Sequence, residues 1–298
     1  MASCVAESPE LFRLDRTAVR SAFDRASARY ESAARLQARI EQELLSRLDS
    51  FDFEPQVVLD LGAGTGRASA QLKRRYPRAR VIALDLSFGM LTEARRHQRL
   101  WRRFARVCAD AQRLPLAGAS VDLVFSNLML QWCQPLDAAF AEVRRVLKPT
   151  GFFAFSTFGP ATLQELRAAW AAADDLNHVN QFIDVHDVGE ALVRAALSEP
   201  VLDVDRYEAT YPDALALMRE LKTIGAHNVT AGRPRTLRGR ARLARMQRAY
   251  EGARHEGVLP ATFEVIYGAA WGALGRLAAP AAGGAVRIAP GSIGRARP

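Results

Sequence analysis

The sequence predicts a doubly wound α/β domain with a mostly parallel, seven-stranded sheet, and three observations carry that expectation. From residue 56 to residue 157 short apolar runs alternate with amphipathic stretches, the rhythm of right-handed strand-helix-strand crossovers. The first apolar run ends in a glycine-rich turn, Val58-Leu-Asp-Leu-Gly-Ala-Gly-Thr-Gly66, and a helical pattern follows at once. Of the 298 residues, 49% are hydrophobic, ample for one large core.

Taken in order, residues 17–48 set Val19, Phe23, Ala26, Tyr30, Ala33, Leu36, Ile40, Leu44 and Leu48 at three- and four-residue steps. That spacing predicts one amphipathic helix or a broken pair, an N-terminal helical arm over 1–50. Strand 56–61, helix 67–76, strand 80–84, helix 88–99 and strand 104–108 follow. Then come strand 121–126, helix 136–147 and, after the turn Pro149-Thr150-Gly151, strand 151–157. Beyond Phe158 the alternation loosens: helices over 162–173 and 188–196 flank a polar stretch, 201–211 is extended, 213–224 and 239–254 are helical, and 261–271 alternates as a last strand. The expected division is the arm, a main domain over 51–277 with its ligand-binding core at 56–157, a helical insertion over about 212–257 that covers the site, and a flexible tail over 278–298, rich in Ala, Gly, Pro and Arg.

No apolar run reaches the length of a membrane span, and Glu7, Glu10, Asp15 and Asp24 interrupt the first thirty residues, so neither a span nor a secretory signal is expected. Cys4, Cys108 and Cys133 are widely spaced and form no C-x-x-C pair, which argues against a disulfide framework or a zinc site and for a cytoplasmic protein without a metal. The formal charge of +9 points to an acidic partner. Of the basic residues only Lys73, Lys148 and Lys222 are lysine, a skew that coding bias alone would also produce. The arginines nevertheless cluster, six in 95–106 without an acid and eight in 233–254 against Glu251 alone.

Ligands of open α/β sheets bind beyond the carboxyl ends of the strands, so the residues that follow each strand carry the functional information. A dinucleotide-binding turn reads G-x-G-x-x-G/A, and its third small residue lets helix and strand close around a pyrophosphate. Here Gly62, Gly64 and Gly66 give G-x-G-x-G, and Arg67 stands where the dinucleotide fold wants no side chain. Asp85 ends the second strand, placed to accept ribose hydroxyls. Asp110-Ala111 follows the third, where a short acid reaches an adenine amino group, and Asn127 follows the fourth. Helix capping is the alternative reading for Asp85 and Asp110, and a plain turn is the alternative for Asn127.

Together these stations resemble the class I S-adenosylmethionine-dependent methyltransferases: E/D-x-G-x-G-x-G, an acid ending strand two, D-A after strand three, and "VDLVFSN" at strand four. The resemblance implies the Rossmann-like fold of that family and a methyl donor without phosphates, which tolerates Arg67. It also implies cofactor-binding roles for Asp60, Gly62, Ala63, Gly64, Gly66, Asp85, Leu86, Met90, Asp110, Ala111 and Asn127. The nucleic-acid amino-methyltransferases of this fold carry N/D-P-P-Y/F after strand four. Here the stretch is Ser126-Asn127-Leu128-Met129, so nucleic acid is disfavoured as substrate.

Segments outside the core are more specific. "FDRASARYESAARLQ" (23–37), "LMLQWC" (128–133), "FGPATLQELRAAW" (158–170), "HVNQF" (178–182), "LKTIGAHNVTAGR" (221–233) and "YEGARHEGVLPATFEVIYGAAW" (250–271) resemble the malonyl-[acyl-carrier protein] O-methyltransferase family of biotin synthesis. That resemblance implies methylation of the free carboxylate of a malonyl thioester on acyl carrier protein. Such a carboxylate is already ionised near pH 7 and needs alignment more than a base, consistent with the lack of an evident catalytic triad. Tyr30, on an arm that closes over the methyl donor, and Gln131 and Trp132, after strand four, are the candidates near the reacting centre. Lys222 and Arg233 are candidates for the substrate carboxylate or the carrier's phosphate, and His178 and His186 for orienting the substrate. The basic helix over 238–254 suits an acidic carrier protein. The segments "FGPATLQELR" and "LPATFEVIYG" are also similar to the methyltransferase-like assembly factors of respiratory complex I, which modify an arginine of a partner protein. A third alternative is a non-enzymatic adaptor for RNA or protein, whose expected mark, a damaged glycine loop or a lost ribose acid, is absent.

Overall fold

The computed structural model describes residues 14–226, 228 and 239–273. Residues 229–238, Arg233 among them, and the tail over 278–298 lie outside the described residues. Among the described residues, seven strands form one sheet in the order β3-β2-β1-β4-β5-β7-β6: β1 Val57–Leu61, β2 Arg80–Asp85, β3 Ala105–Cys108, β4 Val121–Asn127, β5 Leu147–Phe158, β6 Ser198–Tyr211 and β7 Leu259–Trp271. Strands β1 to β5 run parallel, and β7 is antiparallel to both β5 and β6. The chain leaves β1 towards β2 and β3, then returns to place β4 on the other side of β1. The switch point therefore lies between the carboxyl ends of β1 and β4.

The arm is broken, as one of the two expected alternatives had it. Helix α1 (Arg16–Ala26) is capped by Asp15, whose side chain accepts from Ala18 N–H, and a 3₁₀ turn leads to the short α2 (Tyr30–Ala33). The chain then turns at Ala34 into α3 (Arg35–Arg47). Helices α4 (Arg67–Arg75), α5 (Phe88–Glu93), α6 (Leu136–Val146), α7 (Gln164–Ala171), α8 (Val185–Arg194), α9 (Ala214–Thr223) and α10 (Arg240–Glu251) complete the element list. Several boundaries shift by one to three residues, and two differ by more. The helix expected over 88–99 tightens into a 3₁₀ turn at Ala94–His97. Strand β5 starts at Leu147 and runs through Pro149-Thr150-Gly151, because the register against β4 slips from Val121↔Leu147 to Leu123↔Phe152 and absorbs those residues.

The sheet separates two apolar layers. One buries Ile40, Leu44, Leu72, Leu91, Leu166, Leu217 and Met246 from α3, α4, α5, α7, α9 and α10. The other buries Phe140, Val143, Val188 and Leu192 from α6 and α8 against Phe153 and Phe155. Both α9 and α10 belong to the connection between β6 and β7, so that connection brings two helices to the arm's side of the sheet. No helix among the described residues is long and apolar enough to cross a membrane.

Candidate active site

The turn after β1 is held open by its glycines. Gly62, Gly64 and Gly66 all have positive φ, at 78°, 53° and 77°, a region that disfavours any residue with a Cβ. Space matters too, since a Cβ on Gly62 would stand 2.2 Å from Met129 Cγ. The Gly62 and Ala63 N–H groups donate to Leu84 O at 2.8 and 3.0 Å, which fixes the turn against the end of β2. After β4, Leu128 takes a left-handed φ of 50° and donates its N–H to Ser156 O at 3.0 Å, so the chain bends away and leaves space above the strand ends.

That space is a cavity of about 800 Å³, measured out to its open mouth, at the switch point. Its walls include Gly62, Gly64, Asp85, Leu86, Met90, Asp110, Ala111 and Asn127, joined by Phe23, Tyr30 and Trp132. A smaller lobe of about 460 Å³ shares Tyr30, Gly62, Gly64 and Asn127 with it and adds Asp60, Ala63, Glu41 and Arg67. Ten of the eleven cofactor candidates thus stand around one two-lobed space. Gly66 stands off its walls, where a Cβ would meet Ala94 Cβ at 2.7 Å, so its lack of a side chain serves the fit of α4 against the turn at Ala94.

Asp85 is oriented at both oxygens: Oδ2 accepts from Gly64 N–H and Oδ1 from Ser87 N–H, each at 2.8 Å. Burial nevertheless raises its pKa, with those N–H groups opposing the shift. Asp110 Oδ1 accepts from Gln112 N–H at 2.9 Å, while its other oxygen is ion-paired with Arg16 from the arm. Asn127 accepts from Ser156 Oγ at 2.8 Å and donates to Gln37 O at 3.4 Å, tying the ends of β4 and β5 to α3.

Asp60 is buried and accepts from Ser69 Oγ at 2.5 Å. Burial pushes its carboxyl up to about 7, with the Ser69 hydroxyl opposing that rise. A cation bound in the smaller lobe favours the carboxylate, so binding below pH 7 must release a proton. The affinity for S-adenosylmethionine, by calorimetry, is therefore expected to weaken as pH falls from 8 to 6, approaching tenfold per pH unit, and Asp60→Asn to flatten the profile. The folded chain also holds this proton more tightly than the unfolded chain, so Asp60 lowers stability as pH rises from about 4 through 7. Ligand-free Asp60→Asn should accordingly melt higher than the parent at pH 8 and no higher at pH 4.

The arm forms the roof. Asp24 Oδ1 accepts from Ser87 Oγ at 2.6 Å and from Gly89 N–H at 2.9 Å, and Glu31 takes both Thr65 Oγ1 at 2.5 Å and His97 Nε2 at 2.6 Å. Glu41, buried on α3, accepts from Arg67 Nε at 3.2 Å and Gln71 Nε2 at 2.5 Å. The cation that a dinucleotide turn would not tolerate is therefore the post to which the arm is fastened. Tyr30 lines both lobes, and burial followed by the Glu41 and Asp85 charges drives its phenol far above its ordinary pKa, so it remains a neutral hydroxyl.

The remaining candidates are scattered. Trp132 meets Phe23 edge-on at 5.3 Å and lines the larger lobe. Gln131 is turned to the strand ends, donating to Leu128 O at 2.7 Å and accepting from Thr157 Oγ1 at 3.2 Å. His178 lines a separate cavity beside α7 and α9, with Nε2 2.8 Å from Asp174 Oδ1 and its ring stacked on Trp170 at 3.7 Å. His186 is exposed at the start of α8, the helix packed with α6 on the other face of the sheet, and stands apart from all three spaces. Lys222 is exposed in the last turn of α9, next to Leu221, which lines the cavity of His178. Sequence reasoning missed Arg16, Asp24, Glu31 and Glu41, whose only signal was acids and a cation placed along an amphipathic arm.

Comparison with known proteins fits this geometry. A family described as "Methyltransferase domain" matches residues 59–155. Among solved structures, the YcgJ protein from Bacillus subtilis superposes with a TM-score of 0.56 at 15% identity, covering 78% of this chain and 98% of that one. A phosphoethanolamine N-methyltransferase 2 from Haemonchus contortus, solved with S-adenosyl-L-methionine, gives 0.54 at 19% identity over 84% of this chain and 57% of that one. Both likenesses show the fold. Two curated relatives named malonyl-[acyl-carrier protein] O-methyltransferase are far nearer in sequence. The protein from Laribacter hongkongensis is 50% identical over 88% of this chain and 91% of its own length. The one from Methylovorus sp. strain MP688 is 52% identical over 91% of this chain and 94% of its own. With that identity across nearly its whole length, the chain belongs to the malonyl-[acyl-carrier protein] O-methyltransferase family.

Proposed function

We propose that this protein transfers a methyl group from S-adenosylmethionine to the free carboxylate of a malonyl thioester carried by acyl carrier protein, giving the methyl ester that primes pimeloyl chain synthesis for biotin. The observation that supports this reading most is the two-lobed cavity at the switch point, roofed by the arm, in a chain 52% identical to a relative named for that reaction. The donor set fits S-adenosylmethionine: an oriented carboxylate at Asp85 for ribose hydroxyls, apolar Leu86 and Met90 for an adenine, and the open Gly62 and Gly64 turn with Asp60 for an amino-acid end. When bound, the donor supplies an electrophilic methyl group on a positively charged sulfur.

The protein's contribution is alignment and dryness. A malonyl carboxylate is ionised at neutral pH and requires no general base, so the neutral Tyr30 is assigned to positioning. Its hydroxyl, with Asn127 at the junction of the lobes, borders the place where methyl and carboxylate meet. Orientation of this kind is worth roughly 7–11 kcal/mol of barrier. Phe23, Leu128, Met129 and Trp132 exclude water from the larger lobe. Arg240, Arg245 and Arg248 are exposed on α10 and form the basic face offered to an acidic carrier.

The test is incubation with radiolabelled S-adenosylmethionine and malonyl-acyl carrier protein, with free malonyl-CoA alongside. Base-labile label on the malonyl group is expected. Label on an arginine of a partner protein, or no transfer to any malonyl thioester, would overturn the reading.

A further inference from the structure

A second cavity lies on the α7 side of the sheet and shares no wall residue with the two lobes. It measures about 600 Å³ out to its open mouth, within the range of small-molecule pockets, and is lined by Leu163, Leu166, Val179, Phe182, Met218 and Leu221. Three polar side chains interrupt that apolar wall: His178, Asn180 and Asn228. His178 is pinned by Asp174 and by the Trp170 ring. Asn228 donates to Asn177 O at 2.7 Å. Asn180 Oδ1 is buried and accepts no hydrogen bond among the described residues. A buried carboxamide oxygen left without a donor is costly, and an N–H from a ligand is what would satisfy it.

The lining discriminates among ligands. Among the described residues its lining holds no arginine or lysine, so a carboxylate or phosphate drawn inside would meet no counter-charge from them. A purely hydrocarbon chain would leave Asn180 unsatisfied. The wall suits a flexible, uncharged chain with apolar stretches and secondary amides. One end of the cavity approaches the reacting centre, because Phe182 meets Phe158 edge-on at 5.7 Å and Phe158 ends β5, one residue beyond the Thr157 that holds Gln131. Outside the cavity, α10 packs on α7 and anchors there through Arg245, which donates to Ala173 O at 2.9 Å. The basic face is thus next to the cavity.

We propose that this cavity binds the pantetheine arm of the acyl thioester, with Asn180 Oδ1 accepting an amide N–H of that arm. The assignment rests on the malonyl-thioester reading above and adds to it where the carrier's arm lies. The acidic carrier remains outside on α10 while its uncharged arm threads between α7 and α9, and the malonyl carboxylate emerges at the strand ends.

The test compares malonyl-pantetheine with the S-ethyl thioester of malonic acid, which has the reacting end and no arm. Asn180→Ala and the cavity-filling Met218→Trp are each expected to raise KM for malonyl-pantetheine about tenfold relative to the ethyl thioester. Melting temperature and S-adenosylhomocysteine affinity should stay at parental values, and a variant that fails this control leaves the other to decide. Calorimetric titration of malonyl-pantetheine into the S-adenosylhomocysteine-loaded protein should show the same tenfold loss without any turnover. Equal effects on both thioesters, or none on either, would overturn the assignment. If malonyl-pantetheine binds with this dependence on Asn180 but no malonyl thioester is methylated, the proposed reaction fails and the cavity assignment stands. If methylation proceeds and both variants bind like the parent, only the cavity assignment falls.

Discussion

Replacing Asp85 with alanine is expected to raise the Kd for S-adenosylhomocysteine on the order of a hundredfold or more, measured by calorimetry. The carboxylate is half-buried at the switch point with its oxygens already aligned by Gly64 and Ser87, so a ribose meets an acceptor that needs no reorganisation. Hydrogen bonds to a charged group contribute about 1.5–3 kcal/mol each, and two hydroxyls on one carboxylate reach the hundredfold range. Asp85→Asn separates charge from shape. It can keep the Gly64 contact but turns an amide donor towards hydroxyl groups, and is expected to recover less than a tenth of the lost affinity. A change below fivefold in the alanine variant would move the ribose elsewhere.

The second large effect belongs to the core. Gly268 on β7 is paired with Phe155 on β5, and a Cβ there would stand 2.1 Å from Phe155 Cζ. The ring cannot withdraw, since it is fully buried, stacked 4.8 Å from Phe153 and tilted against Phe140 at 5.7 Å. Gly268→Ala is expected to cost about 3 kcal/mol in urea denaturation, the upper end for overpacking. Phe155→Leu should lose stability alone yet make Gly268→Ala nearly free, a coupling that a double-mutant cycle measures directly. Additive losses would place the strain elsewhere.

Much of this was legible in the residues. The strand-helix alternation and the glycine turn produced the observed sheet, because parallel strands buried on both faces leave a plain apolar signature. The positions of Asp60, Gly62, Gly64, Asp85, Asp110 and Asn127 around the switch point could be read because each lies within three residues of a strand's carboxyl end. What could not be read depends on distant parts of the chain meeting. Arg67 looked like a departure from a motif until Glu41 was found opposite it. Asp24 could not be matched to Ser87 and Gly89 from spacing, since a bent arm has to bring them together. His178 and His186 are eight positions apart in the sequence, yet the chain carries them to opposite faces of the sheet, and only the fold separates them.

The arm that roofs the first cavity also buttresses the second. Gly225, just beyond α9, is pressed so closely to α1 that a side chain there would meet the Ala22 carbonyl and the Ala26 methyl at 3.2 Å. The same α1 that supplies Val19 and Phe23 to the wall of the first cavity is therefore in contact with the end of α9, whose Met218 and Leu221 line the second. One stretch of helix thus serves as a wall common to two rooms, and a bulkier residue at Gly225 would press on both of them.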